Sequence, residues 1–365
     1  MANDSTASLD QSSSSMNCGN GNFSYSKNST LQRVGSMKAN TIIEEVIADR
    51  LIIEKFSTSS NTVRIADLGC SVGPNTYFAM QHIIGAIEKK CESKGLSPSQ
   101  FPEFQVFFND QTTNDFNTLF TCLPPEKKYF VAGVPGSFHG QLFPSSSMNI
   151  VYSSFSFHWL SQVPKEVQMK DSPSWNKGRI FYASASDEVA QAYAAQFARD
   201  FDSILIARGK EIISGGIMFT FMLALQDGCH PSKHILSFFL DAAGSILMDM
   251  AHEGLITAAQ VDSFNMPLYL GTPKEITGLI ERNGWFSIER LKFLDHKPGV
   301  DEPIEPSKHT AHLRAVIQDF IGAHFGAEII DELFDRLHTN IAAHRDLHLS
   351  LSKAGVLLFV ALRRK

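Results

Sequence analysis

From Thr62 onward the chain alternates short apolar runs with longer amphipathic stretches: VRIADLG, FQVFFND, YFVAGV, NIVYSSFS and, after a long helical segment, GIMFTFML. Apolar runs of this length, spaced by helix-length segments, are what strands covered on both faces require. The pattern predicts an α/β fold with a mainly parallel central sheet between two layers of helices. Two further strands are expected, WFSIERLKF and the final VLLFVALRR.

The intervening helices follow from 3.6-residue spacing. Residues 76–90 carry Phe78, Ile83, Ile84 and Ile87 on one expected face, with Lys89 and Lys90 at the end where cations suit the helix dipole. A second helix is predicted from Asp187 to Ile213, with Ser186 as N-cap and Gly215-Gly216 as its terminator. Residues 225–283, punctuated by Gly254, Pro267 and Pro273, and residues 307–349 read as helices that no sheet needs. They are expected to form a helical cap holding a substrate pocket. The main domain then comprises residues 16–224, 284–306 and 350–365, and the serine-rich stretch 1–15 is expected to be a disordered tail.

Composition narrows the function. With 43% hydrophobic and 19% charged residues among 365, and no apolar run approaching the ~18 to 20 a bilayer span needs, fibrous and membrane-spanning classes are excluded. The net charge is −6 and no basic block stands out, so neither nucleic acid nor a membrane is an expected partner. A small molecule is favoured, and the 28 phenylalanines suit a protein that binds flat or apolar ones. Five dispersed cysteines and an amino terminus without a signal-peptide pattern predict a cytoplasmic protein.

In IADLGCSVGPNT, Asp67, Gly69 and Gly73 fall between a strand and a helix, where ligands of open α/β sheets bind and glycine lets them approach the backbone. The spacing is neither the G-x-G-x-x-G of dinucleotide binders nor a phosphate loop ending in Lys-Ser/Thr, which disfavours NAD and ATP. The second strand ends in FFND, placing Asp110 where a carboxylate can accept from ribose hydroxyls. Taken alone, Asp110 reads equally as an N-cap or a solvated loop acid. A ribose site without a phosphate cradle suits S-adenosylmethionine, an adenosine without phosphates.

Eight motifs in order, SYSKNS, IADLGCSVGPNT, FFNDQTTNDFN, GVPGSF, FHWLSQVP, NKGRI, VDSFNMPLY and AHFG, make the chain resemble the plant SABATH methyltransferases. These are S-adenosylmethionine-dependent enzymes that methylate small carboxylic acids and, in one branch, xanthine nitrogens. The resemblance implies a Rossmann-like class I methyltransferase fold. It implies a cofactor site of Tyr25, Ser29, Asp67, Cys70, Asn75, Asp110, Gln111, Ser137 and Phe138. It places a carboxylate clamp on Gln32 and Trp159, with Tyr25, Phe155 and His158 also lining the substrate pocket. It further implies a magnesium feature at Asn176, Asp262, Phe264 and Asn265, for which a metal-free loop clasp is the alternative, and a homodimer.

Two departures stand out: Met16-Asn17-Cys18-Gly19 lacks the lysine the family often has near its start, and Gln111 replaces a frequent leucine. His344 and His348 have i, i+4 spacing but no third zinc ligand. The expected reaction is O-methylation of a small aromatic, iridoid or terpenoid acid. N-methylation of a xanthine-like ring is the alternative within the family, and a non-catalytic binder or a dehydrogenase the alternatives outside it.

Overall fold

The computed structural model describes residues 16–17, 19, 21–53, 61–294, 305–344 and 355–365. The tail 1–15, Cys18 and His348 lie outside the described residues. Helices α1 (Tyr25–Asn28) and α2 (Thr30–Arg50) precede a single sheet of β1 (Thr62–Leu68), β2 (Glu103–Asp110), β3 (Phe130–Pro135), β4 (Met148–Ser154), β5 (Ile212–Leu225), β6 (Phe286–Leu294) and β7 (Gly355–Arg364). The spatial order is β3-β2-β1-β4-β5-β7-β6. The first five of these run parallel, and β7 runs antiparallel to both neighbours.

Parallel neighbours need crossovers, and α3 (Pro74–Ser93), α4 (Phe116–Thr121) and α5 (Asp187–Glu211) lie within them. The remaining helices are α6 (Ile235–His252), α7 (Ala258–Ser263), α8 (Pro273–Asn283), α9 (Pro306–Phe325) and α10 (Ile330–Ala343). Alternation along β7 divides the interior: Leu357, Phe359 and Ala361 join the core beneath α2 and α3, while Leu358, Val360 and Leu362 join the core beneath α5. The second core continues without a break into the cap, where α6 packs on α7 and α10, and α10 on α9. By contrast, α8 lies against α5 and β6. By length and composition α6 could cross a bilayer, yet here its Phe239, Leu240, Leu247 and Met250 are core residues.

Two local expectations are corrected. On α3 the buried stripe is Tyr77, Met80, Ile83, Ile84 and Ile87; Phe78, turned about 100° from Tyr77, is 51% exposed. Helix α5 ends at Glu211, and the strand runs straight through Gly215 and Gly216. Those glycines serve a bulge: the β4 register shifts between Met148 and Ile150, Gly215 has φ +83°, and a Cβ on Gly216 would stand 2.8 Å from the Asn149 carbonyl oxygen. Ser186 is the N-cap of α5 as expected, with extended backbone, and its hydroxyl engages the Glu188 carboxylate rather than a helix N–H.

Gly209 fixes how closely α5 approaches the start of β6. A Cβ there would lie 2.5 Å from the Trp285 ring, which Arg364 covers from 4.2 Å. Gly209→Ala is expected to lower stability by about 1–2 kcal/mol, overpacking outweighing the gain in helix propensity; urea melts measure it.

Candidate active site

The carboxyl ends of β1, β2 and β4 meet where the sheet order reverses, the position where open α/β sheets bind ligands. The chain leaves β1 through Gly69, with φ +75°, where a Cβ would collide with Ser156 Oγ at 2.1 Å. Gly73, with φ +112°, caps α3 against Ser26 of α1. Between them Ser71 takes φ +51° and donates its N–H to Asp110 Oδ2 at 2.6 Å. Asp110 Oδ1 accepts the Gln111 N–H at 2.8 Å. Each carboxylate oxygen thus keeps a lone pair for a ligand hydroxyl. Beside them, the buried Ser71 Oγ has no hydrogen-bond partner among the described residues.

Two adjoining cavities occupy this crevice, of about 650 and 370 Å3, sharing Tyr25, Gly69 and Ser154 in their walls. Asp110, Gln111, Phe138, Phe155 and Trp159 line the larger; Gln32, Asp67, Cys70 and Asn75 line the smaller. Asn75 Nδ2 donates to Ser29 Oγ and O at 3.0 and 3.1 Å, fastening α3 to the junction of α1 and α2. Thr76 donates its hydroxyl to Asp67. Phe138 is wedged between Phe157 and His139, with ring centroids 5.4 and 4.6 Å away. The Trp159 indole lies flat on Phe320 of the cap, 5.1 Å between centroids and 10° between planes.

Burial governs the charges. It pushes the Asp67 carboxyl up to about 7 against the opposing Thr76 hydrogen bond, and Asp110 up to about 6 against the backbone N–H groups of Ser71 and Gln111. Such carboxylates gain from a cationic ligand. Burial, then the nearby Asp110 and Asp67, raises the Tyr25 hydroxyl and the Cys70 thiol. Cys70 is therefore expected to resist alkylation at pH 8 under conditions that label the exposed Cys122, as peptide mapping after iodoacetamide treatment would record.

Not every expected residue reaches the cavities. Ser137 is exposed and bonds His139 Nδ1 at 3.2 Å, outside both sets of walls. His158, 4% exposed, also lies outside both, and burial drives its pKa down to about 3, leaving the ring neutral. Conversely, His139, Phe320, Pro267, Leu160 and Met16 form part of the larger wall. His139 sits within FHG directly after the GVPGSF motif, a signal that sequence reading could have used; Phe320 had none beyond its place in an apolar helix.

The set Asn176, Asp262, Phe264 and Asn265 is drawn together, but as a hydrogen-bonded clasp. Asn176 Nδ2 donates to Asn265 Oδ1 at 2.7 Å and to the Phe181 carbonyl at 3.3 Å, Tyr193 donates to the same Asn265 oxygen at 3.5 Å, and Asp262 Oδ1 accepts the Gly178 N–H at 2.8 Å. The Phe264 ring packs on Phe325. Two buried amide atoms of this clasp have no hydrogen-bond partner among the described residues, the Asn265 nitrogen, which donates, and Asn176 Oδ1, an oxygen of the kind a magnesium ion takes. No group of three or more His, Cys, Asp or Glu converges on a metal position among the described residues.

The larger cavity does fit a nucleoside: half-used Asp110 oxygens, an orphan Ser71 hydroxyl and the Phe138 ring share one wall. The model of the SAM-dependent carboxyl methyltransferases matches residues 11–365. The chain belongs to that family. A loganic acid O-methyltransferase from Catharanthus roseus is 38% identical, over 96% of this chain and 94% of its own. A farnesoic acid carboxyl-O-methyltransferase from Arabidopsis thaliana is 35% identical, over 95% and 97%. The solved structure of a loganic acid methyltransferase with S-adenosylhomocysteine superposes with a TM-score of 0.92 at 38% identity, covering 96% of this chain and 98% of that one. The xanthine N-methyltransferases among the relatives, at 35% identity, are more distant than the loganic acid enzyme. The protein is a carboxyl methyltransferase with S-adenosylmethionine as cofactor, and the fold is that of the class I methyltransferases.

Proposed function

We propose that this carboxyl methyltransferase esterifies a small acid with an apolar body and a few hydroxyl or carbonyl groups, an iridoid acid of the loganic type being the favoured candidate. The observation that carries the reading is the composition of the walls: neither cavity is lined by Lys or Arg, and Trp159 and Gln32 are neutral donors on adjoining walls. A cation there would hold the acid but repel the sulfonium. Neutral N–H groups orient the carboxylate and leave the cofactor as its counter-charge. Phe155, Phe320, Leu160 and Pro267 give the acid an apolar bed, with His139 and Gln111 as polar exceptions.

S-adenosylmethionine supplies the electrophilic methyl group and departs as S-adenosylhomocysteine. Asp110 and the Ser71 hydroxyl bind its ribose, Phe138 walls its adenine, and Asp67, Asn75 and Ser29 shape its methionine end. Trp159 and Gln32 align one carboxylate oxygen with the methyl carbon, and Tyr25, on the wall common to both cavities, keeps water from the gap. No general base is needed, because a carboxylic acid of pKa ~4 is ionised at neutral pH; alignment and dehydration are the work. Assaying labelled methyl transfer to loganic acid, farnesoic acid, benzoate-sized acids and xanthines tests the reading; a wild-type rate confined to xanthines would overturn it.

The pH dependence divides in two. At saturating cofactor, kcat is expected to stay flat above about pH 6, since His158 is neutral throughout and nothing must lose a proton. Cofactor affinity is expected to fall on acidification through 7 to 6: Asp67 and Asp110 take up protons there, and a cationic ligand binds the ionised forms better. Titration calorimetry between pH 5.5 and 8 reads this directly.

A further inference from the structure

Gln32 does not stand alone on α2. Its Nε2 lies 3.3 Å from Nε2 of His312 on α9, and His312 Nδ1 lies 2.9 Å from the Asn28 carbonyl oxygen at the end of α1. A carbonyl only accepts, so Nδ1 carries the proton. In that tautomer Nε2 offers a lone pair, and the group facing it must donate. Only the nitrogen end of the Gln32 amide can do so; turned over, the amide would set Oε1 against that lone pair. One amide hydrogen is thereby committed to the cap and the other is left for a ligand. The buried Gln32 Oε1 is without a hydrogen-bond partner among the described residues.

We propose that His312 is a positioning residue, which fixes the orientation of the Gln32 amide and so makes the carboxylate clamp depend on α9 being seated. The chain of contacts Asn28–His312–Gln32 ties three separate segments, α1, the cap and α2, to one side chain on the cavity wall. An acid can then meet a correctly turned amide only when the cap is in place. This inference rests on the proposed reading that Gln32 donates to the substrate acid.

The test is a mutant cycle with the preferred acid as substrate. His312→Leu removes the acceptor and is expected to lower acid kcat/KM roughly two- to tenfold, through KM more than kcat, with cofactor KM unchanged. His312→Gln can donate to Asn28 and accept from Gln32, and is expected to recover most of the loss. In a Gln32→Leu background, His312→Leu is expected to cause no further loss. Equal losses in both backgrounds, or a parallel rise in cofactor KM, would reduce His312 to general support of the fold and overturn the inference. So would a wild-type His312→Leu beside an impaired Gln32→Leu, which leaves the clamp standing. A fully active Gln32→Leu would instead bring down the clamp reading and the inference with it. Should His312→Leu fail to fold, an impaired His312→Gln that melts like wild type overturns the proposal, and an active one upholds it.

Discussion

Asp110→Ala is expected to weaken S-adenosylmethionine binding by roughly 10²- to 10⁴-fold, on the basis of two hydrogen bonds to a charged group at about 1.5–3 kcal/mol each. The same carboxylate receives the N–H groups of Ser71 and Gln111, so its loss also frees the glycine loop that follows β1. Calorimetry with S-adenosylhomocysteine measures the change without turnover. Asp110→Asn serves as the control for loop order: it keeps one acceptor and the side chain's shape, and should bind better than the alanine variant. Unchanged affinity in a folded Asp110→Ala protein would remove this residue from the cofactor site.

Trp159→Phe is the second large effect. An aromatic face towards Phe320 is kept, while the indole N–H is deleted together with part of the ring's bulk. One carboxylate oxygen then lacks its donor, and kcat/KM for the acid is expected to fall about ten- to a hundredfold, with cofactor affinity nearly unchanged. Full activity of this variant on its acid would mean that Trp159 shapes the pocket without holding the nucleophile.

How much of this was legible beforehand depended on range. The strands were, because burial on both faces imposes continuous apolar runs such as VLLFVAL, and so was the glycine loop, whose φ angles only certain residues adopt readily. Phe78 was misplaced because a helix's inward face is chosen by its neighbours, and Tyr77 and Met80 satisfied the same spacing one step away. Gly215-Gly216 reads locally as a helix end because a bulge against Asn149 depends on residues about 65 positions earlier. His158 and Ser137 lie beside motif residues in sequence but outside the cavity walls, since strand exits and tight turns send adjacent side chains in different directions. The link from Gln32 to His312 spans 280 positions, beyond any spacing rule.

The antiparallel strand β7 has a bearing on how the protein is made. It is the last of the seven to be synthesised, yet it lies between β5 and β6 and pairs with both. Until it emerges, β5 has an open edge and β6 has no partner in the sheet, although the residues that build both cavities already exist. The sheet therefore cannot be completed before residues 355–364 have emerged. A nascent chain stalled before residue 355 would present two unsatisfied strand edges, sites for chaperones or for wrong pairing with another copy.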